Sequence, residues 1–204
     1  MLRGYRAARR AGGPAAGAAV LACALSSCGL VGGSQVLRPD APQTMTITSP
    51  AFEDVISSEY TCHGAGVSPP LYWSDAPAGT KSFALVVDDS AAPIAPYVYW
   101  VVFDIGTGTP DVPPGQIPPG ARVADNSQGR PRYEPPCPTD GRHTYRFTVY
   151  ALSSRLHLPN GVGLKEAWQA IAAHALARGR MTASAGGAEI GGTERNGTAS
   201  GKIR

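Results

Sequence analysis

The chain has 204 residues, 43% of them hydrophobic and only 16% charged; this suits one domain with a real core and excludes a highly charged, disordered chain. Its formal charge of +3 is unevenly placed: Arg3, Arg6, Arg9 and Arg10 lie in the first ten residues, and taking these four from 18 basic residues leaves 14 against 15 acids from Cys28 onward. The bulk of the chain therefore gives no electrostatic case for nucleic-acid binding.

Residues 1–27 join that Arg-rich start to an Ala/Gly-rich apolar stretch, and LSSCG follows at Leu25 to Gly29. This is the layout of a secretory signal. The apolar run is broken by Gly12, Gly13 and Pro14 and is short for a membrane span. It resembles a bacterial lipoprotein signal, with Leu25 three places before the cleavage point, small residues after it, and Cys28 as the first residue of the mature chain. The resemblance implies a lipid such as palmitate on Cys28 and an anchor on the extracytoplasmic face of the cell membrane. A plain signal peptide or an uncleaved anchor is the alternative; VLAC, ending at Cys23, fits less well because of bulky Leu21. Residues 28–43 are rich in Gly, Pro and Ser and read as a flexible tether.

The domain is expected over residues 44–181. Met45 to Ser49 alternates as a strand does. YTCHGAGVSPPLYW (Tyr60 to Trp73) is turn-rich and closes on a short apolar run. Ser82 to Asp89 and Tyr97 to Ile105 read as buried strands, separated by a loop that Pro93 and Pro96 enforce. Residues 106–120 are dense in Pro and Gly and read as irregular surface. His143 to Leu152 alternates: Tyr145, Phe147 and Val149 share one face, and Thr144, Arg146 and Thr148 the other. Leu164 to Arg178 predicts a helix, with Leu164, Trp168, Ile171 and Ala175 on one stripe and Gly179 as its stop. From Thr182 to Arg204 the small polar residues predict a loose, disordered tail. The fold class expected is mainly β, with antiparallel sheet and a few peripheral helices.

Cys62 and Cys137 remain once Cys23 and Cys28 are assigned to the leader and its lipid. An even number in an exported protein admits a disulfide between them or two separate thiols. Cys137 lies six residues before His143, so a catalytic thiol is a further alternative. There is no G-x-S-x-G elbow and no C-x-x-C spacing, and the reading is of neither an enzyme nor a metal protein, with no cofactor.

Polar groups fall where the strands meet their loops: Asp88 and Asp89, Tyr99, then Cys137, His143 and Tyr145. The segments that carry them are VVDDSAAP (Val86 to Pro93), YVYWVVF (Tyr97 to Phe103) and PPCPTDGRHTYRF (Pro135 to Phe147). Together with TCHGAGVSPPLYW (Thr61 to Trp73), they resemble the phosphatidylethanolamine-binding protein family, in particular its bacterial Raf-kinase-inhibitor-like branch. The resemblance runs from about Thr46 to Met181. It implies a β fold with peripheral helices and a small pocket for phosphate-like groups.

Position by position, Asp89 matches the first acid of the family's D-P-D-A-P loop, and Ala91 stands where its second acid would be. Tyr99 stands in place of the strand histidine, just before Trp100. Pro136 and Cys137 match the Pro-rich rim, and His143 and Tyr145 match the H-R-Y pair. Pro135 and Thr139 depart from that rim's Gly and last Pro. The implied ligand site is thus Asp89, Tyr99, Pro136, Cys137, His143 and Tyr145. An ionised Asp89 cannot touch a phosphate oxygen, but it can orient His143 or receive a ligand ammonium. His63 could add a donor at the rim, or be a solvated turn residue; His143 could instead be structural. The expected partners are a phosphate-like or phospholipid head group and the membrane. A protein partner, such as an envelope protease that the domain inhibits, is the alternative.

Overall fold

The computed structural model describes residues 39–89, 96–139 and 141–186. The leader, Cys28, Ala91, most of the tether and the end of the tail lie outside the described residues.

Among the described residues, two antiparallel sheets, one α-helix and a short 3-10 turn at Ser58–Tyr60 make the domain. Strands β1 (Thr46–Thr48), β2 (Leu71–Ser74) and β5 (Asp111–Val112) form the smaller sheet in the order β1-β2-β5. Strands β3 (Ser82–Asp89), β4 (Tyr97–Ile105), β6 (Arg122–Val123), β7 (His143–Leu152) and β8 (Ala175–Ala185) form the larger one, in the order β6-β4-β3-β7-β8. Helix α1 spans Leu164–His174.

The larger sheet is covered on both faces, which is why its central strands read as unbroken apolar runs. Phe83, Leu85 and Val87 of β3, with Trp100, Val102, Phe147 and Val149, pack with Ile47, Leu71 and Trp73 of the smaller sheet. Ala84 and Val86, with Val101, Phe103, Tyr150 and Leu152, pack with Ala167, Trp168 and Ile171 of α1. All eight positions of β3 are buried as a result. The helix stripe expected from the sequence is the face that packs, with Leu164 at its margin.

The C-terminal part differs from the sequence reading. The helix stops at His174, and the chain enters β8 at Ala175. Strand β8 pairs along the whole of β7, from Leu152↔Ala175 to His143↔Ala185. Ala177, Ala183 and Ala185 face the inter-sheet core, with Met181 packed at its edge. The run of alanines favours helix locally, but the open edge of β7 offers a ten-residue ladder, and tertiary pairing overrides propensity. Thr182 to Ala185, which the sequence reading placed in a loose tail, therefore belong to β8.

The outer edge of β8 is also occupied. The Arg178 N–H donates to the Pro42 carbonyl at 2.8 Å, and the Met45 N–H donates to the Arg178 carbonyl at 3.1 Å. Further along, the Ser184 N–H donates to Asp54 at 2.8 Å and the Ile56 N–H to Ser184 at 2.9 Å. These contacts blunt an edge that would otherwise template pairing with another chain. They also dock residues 39–43, which the sequence reading placed in the tether: Ala41 is buried. Two short strands, β5 and β6, were not expected from the sequence; β5 falls inside the Pro/Gly-dense stretch and pairs Asp111 with Tyr72.

Gly179 is what allows the N-terminal segment to lie so close. A Cβ there would sit 2.9 Å from the Met45 carbonyl oxygen. Gly179→Ala is expected to lower stability by about 1–3 kcal/mol in urea unfolding, whereas Gly108→Ala, with nothing within 4 Å of its Cβ, should stay within about 0.5 kcal/mol of the parent.

Candidate functional site

The ends of β3, β4 and β7 meet at one corner of the larger sheet. Asp89 is paired with Tyr145 on β7 and with Tyr97 on β4. Side chains alternate along a strand, so His143 and Tyr145 lie on the same face of β7. There the His143 Nδ1 lies 2.6 Å from Asp89 Oδ2. Asp89 is buried at 3% side-chain exposure, while the imidazole is 31% exposed and reaches the surface.

Asp88, one residue earlier, points to the opposite face. It is paired across the strands with Arg146, whose Nε donates to its Oδ1 at 3.1 Å while Nη2 donates to Oδ2. The two adjacent acids therefore serve different faces: Asp88 holds an ion pair on the helix side, and Asp89 belongs to the candidate site.

Tyr99 reaches the site through a bulge. Val87 pairs with Trp100 and Asp88 pairs with Val98, which leaves Tyr99 as the extra residue of β4. A bulge of this kind re-aims a side chain. The Tyr99 ring lies 5.3 Å from that of Tyr145, edge-on at 74°, and 4.8 Å from that of Tyr97. The His143 and Tyr145 rings are stacked with centroids 6.4 Å apart. Four of the residues expected from the sequence, Asp89, Tyr99, His143 and Tyr145, are thus brought together.

Both phenols are held protonated. Burial raises the Tyr99 hydroxyl far above its ordinary range, and the nearby Tyr145 and Asp89 add to the rise. Burial pushes Tyr145 up to about 12, partly offset by the neighbouring Tyr99 hydroxyl, with Asp89 raising it further. The Tyr145 oxygen is buried without a well-formed hydrogen bond of its own. Such a group costs about 1–3 kcal/mol of desolvation, a cost more often tolerated at a functional site than in plain core.

Pro136 and Cys137 sit on a segment fastened to this corner. The Glu134 N–H donates to the Tyr99 carbonyl at 3.0 Å, and the Cys62 N–H donates to the Pro136 carbonyl at 3.0 Å. Cys62 and Cys137 are joined in a disulfide 75 residues apart in sequence, a closure worth roughly 4 kcal/mol by loop entropy. Of the two arrangements open from the sequence, the structure has the bridge, so Cys137 carries no thiolate. Gly66, at φ +65°, lets the Cys62 loop approach Pro135. His63 is exposed on that loop.

A groove of about 480 Å³ runs beside the cluster, lined among others by Cys62, Gln128, Arg130, Arg132, Tyr133, Glu134 and Cys137. Of the six site residues expected from the sequence, Cys137 lines it. The groove was missed because residues 121–134 show no strand or helix period. The available signal was the Asn126-Ser-Gln-Gly turn followed by Arg130 and Arg132. Asn126 is buried and ties that turn: its Oδ1 accepts from the N–H groups of Gln128 at 2.9 Å and Arg130 at 3.1 Å, and its Nδ2 donates to the Arg132 carbonyl at 3.2 Å.

Comparisons with known proteins agree with this architecture. The model of the family described as phosphatidylethanolamine-binding protein matches residues 46–185. LppC of Mycobacterium tuberculosis, provisionally named a lipoprotein, is 44% identical over 145 residues, 69% of this chain and 72% of the relative. A UPF0098 protein of Methanothermobacter thermautotrophicus is 37% identical over 144 residues, 67% of this chain and 95% of the relative. Among solved structures, CT736 of Chlamydia trachomatis, described as a homologue of phosphatidylethanolamine-binding protein, superposes with a TM-score of 0.66 at 32% identity, covering 71% of this chain and 99% of that one. YbcL of E. coli, described as a member of the mammalian family, gives 0.65 at 26% identity, covering 69% of this chain and 97% of that one.

The phenols also set an alkaline limit. Tyr145 holds its proton more tightly in the fold than at the ordinary value of 10.0, so its contribution to stability is complete below that pH. It is lost as pH rises from there towards about 12. The urea midpoint should fall over this window, and Tyr145→Phe should flatten the fall.

Proposed function

The chain belongs to the phosphatidylethanolamine-binding protein family, and we propose that its domain is a non-catalytic binder of a phosphate-bearing group, phospholipid head groups included, on a lipid-anchored protein of the cell envelope. The observation that carries this reading is the 2.6 Å contact between His143 Nδ1 and Asp89 Oδ2. A buried carboxylate fixes the ring and balances its charge, so that a protonated imidazole at the surface becomes a positioned anion donor. The Tyr99 and Tyr145 hydroxyls, kept neutral by burial, are two further donors of the kind that phosphate oxygens accept from.

The departures from the family pattern bear on the ligand rather than on the fold. Tyr99 in place of a histidine exchanges a cationic donor for a neutral one, and Ala91 in place of an acid removes a negative charge. The two changes partly cancel, leaving an altered anion site that depends more heavily on His143. A covalent mechanism finds no support in the residues at hand: the Cys137 sulfur is bonded to Cys62, and Asp89 is committed to His143. No cofactor enters the reading. The anchor rests on the LSSCG signature and on the name of the related LppC, with Cys28 as its attachment point.

Titration calorimetry with glycerophosphoethanolamine, whose phosphodiester keeps one charge throughout, tests the site. Affinity should fall as rising pH removes the imidazolium proton, and His143→Ala should weaken binding by roughly tenfold or more at low pH. Binding that ignores both pH and the substitution would remove His143 as the donor. For the anchor, labelling with a radioactive fatty acid should mark the parent chain and not Cys28→Ala, which should also leave the membrane fraction; equal labelling would refute the assignment.

A further inference from the structure

The groove beside the site carries charge that its own side chains do not balance. Arg130 and Arg132 both line it and both are exposed. Among the described residues, neither guanidinium has a salt-bridge or hydrogen-bond partner. The acid among the lining residues, Glu134, is already engaged: it accepts from the Tyr97 hydroxyl at 3.0 and 3.1 Å and from the Gln128 amide. Two cations in a concave site attract an anion more strongly than the same charges on a flat surface.

The walls of this groove are held in place. The Asn126 amide fixes the turn that carries Arg130 and Arg132. The Tyr133 hydroxyl donates to the Tyr60 carbonyl at 2.9 Å, and the Cys62–Cys137 bridge ties two of the lining residues together. The groove shares a segment with the strands of the His143 corner. Cys137 lines the groove and flanks the rim, and the Glu134 N–H is bonded to the Tyr99 carbonyl. Glu134, which lines the groove, accepts from the Tyr97 hydroxyl at 3.0 Å, and the Tyr97 ring lies 4.8 Å from that of Tyr99.

We infer that this groove is a second anion subsite, so that the domain takes ligands with two anionic groups on one short backbone, one at His143 and the other between Arg130 and Arg132. The inference rests on the phosphate-binding reading of the His143 corner and narrows its ligand class. Guanidinium groups suit the task because each presents a planar fork of donors to a phosphate or carboxylate. The chemistry is shared by soluble bisphosphates and by phospholipids with two phosphates.

The test compares the full chain binding a simple alkyl monophosphate with its binding of α,ω-alkyl bisphosphates of increasing chain length. At low salt the best-fitting bisphosphate should bind about tenfold tighter than the monophosphate, and the gap should narrow as salt is raised. Arg130→Gln with Arg132→Gln should bring the two ligands to within about twofold while leaving monophosphate binding in place. Arg130→Lys with Arg132→Lys should keep most of the preference. A bisphosphate that binds no tighter than the monophosphate, or a preference that survives the glutamine pair, overturns the subsite; if monophosphate binding still depends on His143, the first reading stands. Failure of both ligands to bind overturns both. In a second arm, phosphatidylcholine vesicles carry either diphosphatidylglycerol or phosphatidylglycerol at matched phosphate. Stronger binding to the former, lost in the glutamine pair, supports the subsite with a lipid ligand. A preference confined to the soluble arm supports it with a soluble one.

Discussion

The antiparallel register of β3 between its two neighbours is the constraint on which the rest depends. Asp89 is the last residue of β3, and pairing with Tyr145 on one side and Tyr97 on the other determines which side chains share its corner. A slip by one residue would exchange Asp89 with Asp88 and put the inter-sheet face where the helix face is. The burial of all eight β3 positions makes such a slip costly, because it would place Phe83, Leu85 and Val87 against the helix in the space now filled by Ala84 and Val86. The hydrophobic core thus positions the imidazole as effectively as the carboxylate that touches it.

The two adjacent acids show how one strand can do two jobs. Asp88 is neutralised by Arg146 directly across the ladder, so the helix face keeps no uncompensated charge at that point. Asp89 is matched with a side chain that can gain or lose a proton. A buried carboxylate paired with a permanent cation is inert over the whole working range; one paired with imidazole is not. The chemistry that distinguishes the faces therefore lies on β7, in the alternation of Arg146 and His143 with Tyr145.

Much of this was legible in the chain. The apolar runs of β3 and β4, the alternation of β7 and the motif residues from Asp89 to Tyr145 are strong local signals that the structure brings to one corner. What remained hidden had particular causes. The bulge at Tyr99 arises from pairing with β3, and no spacing within β4 shows it. Strand β8 lies in a run of alanines whose local preference is helical; its period of two, with Ala177, Gly179, Met181, Ala183 and Ala185 alternating with Arg178, Arg180, Thr182 and Ser184, was overlooked because small residues give a weak hydrophobic contrast. The groove at Arg130 and Arg132 is built from a loop held by Asn126, and loops have no period to read. The docking of residues 39–43 depends on the edge of β8 and could not be seen without it.

The position of the two cysteines in the chain has a bearing on how the domain is made. Both lie before His143, and the covalent ring they close contains β2, β3, β4, β5 and β6. Strand β7, which brings the imidazole, together with α1 and β8, lies wholly outside it. The ring by itself presents one unfilled flank of β3, the flank along which β7 pairs. The covalent tie therefore constrains the strands that carry Asp89 and Tyr99, while His143 is held beside Asp89 by strand pairing rather than by the bridge.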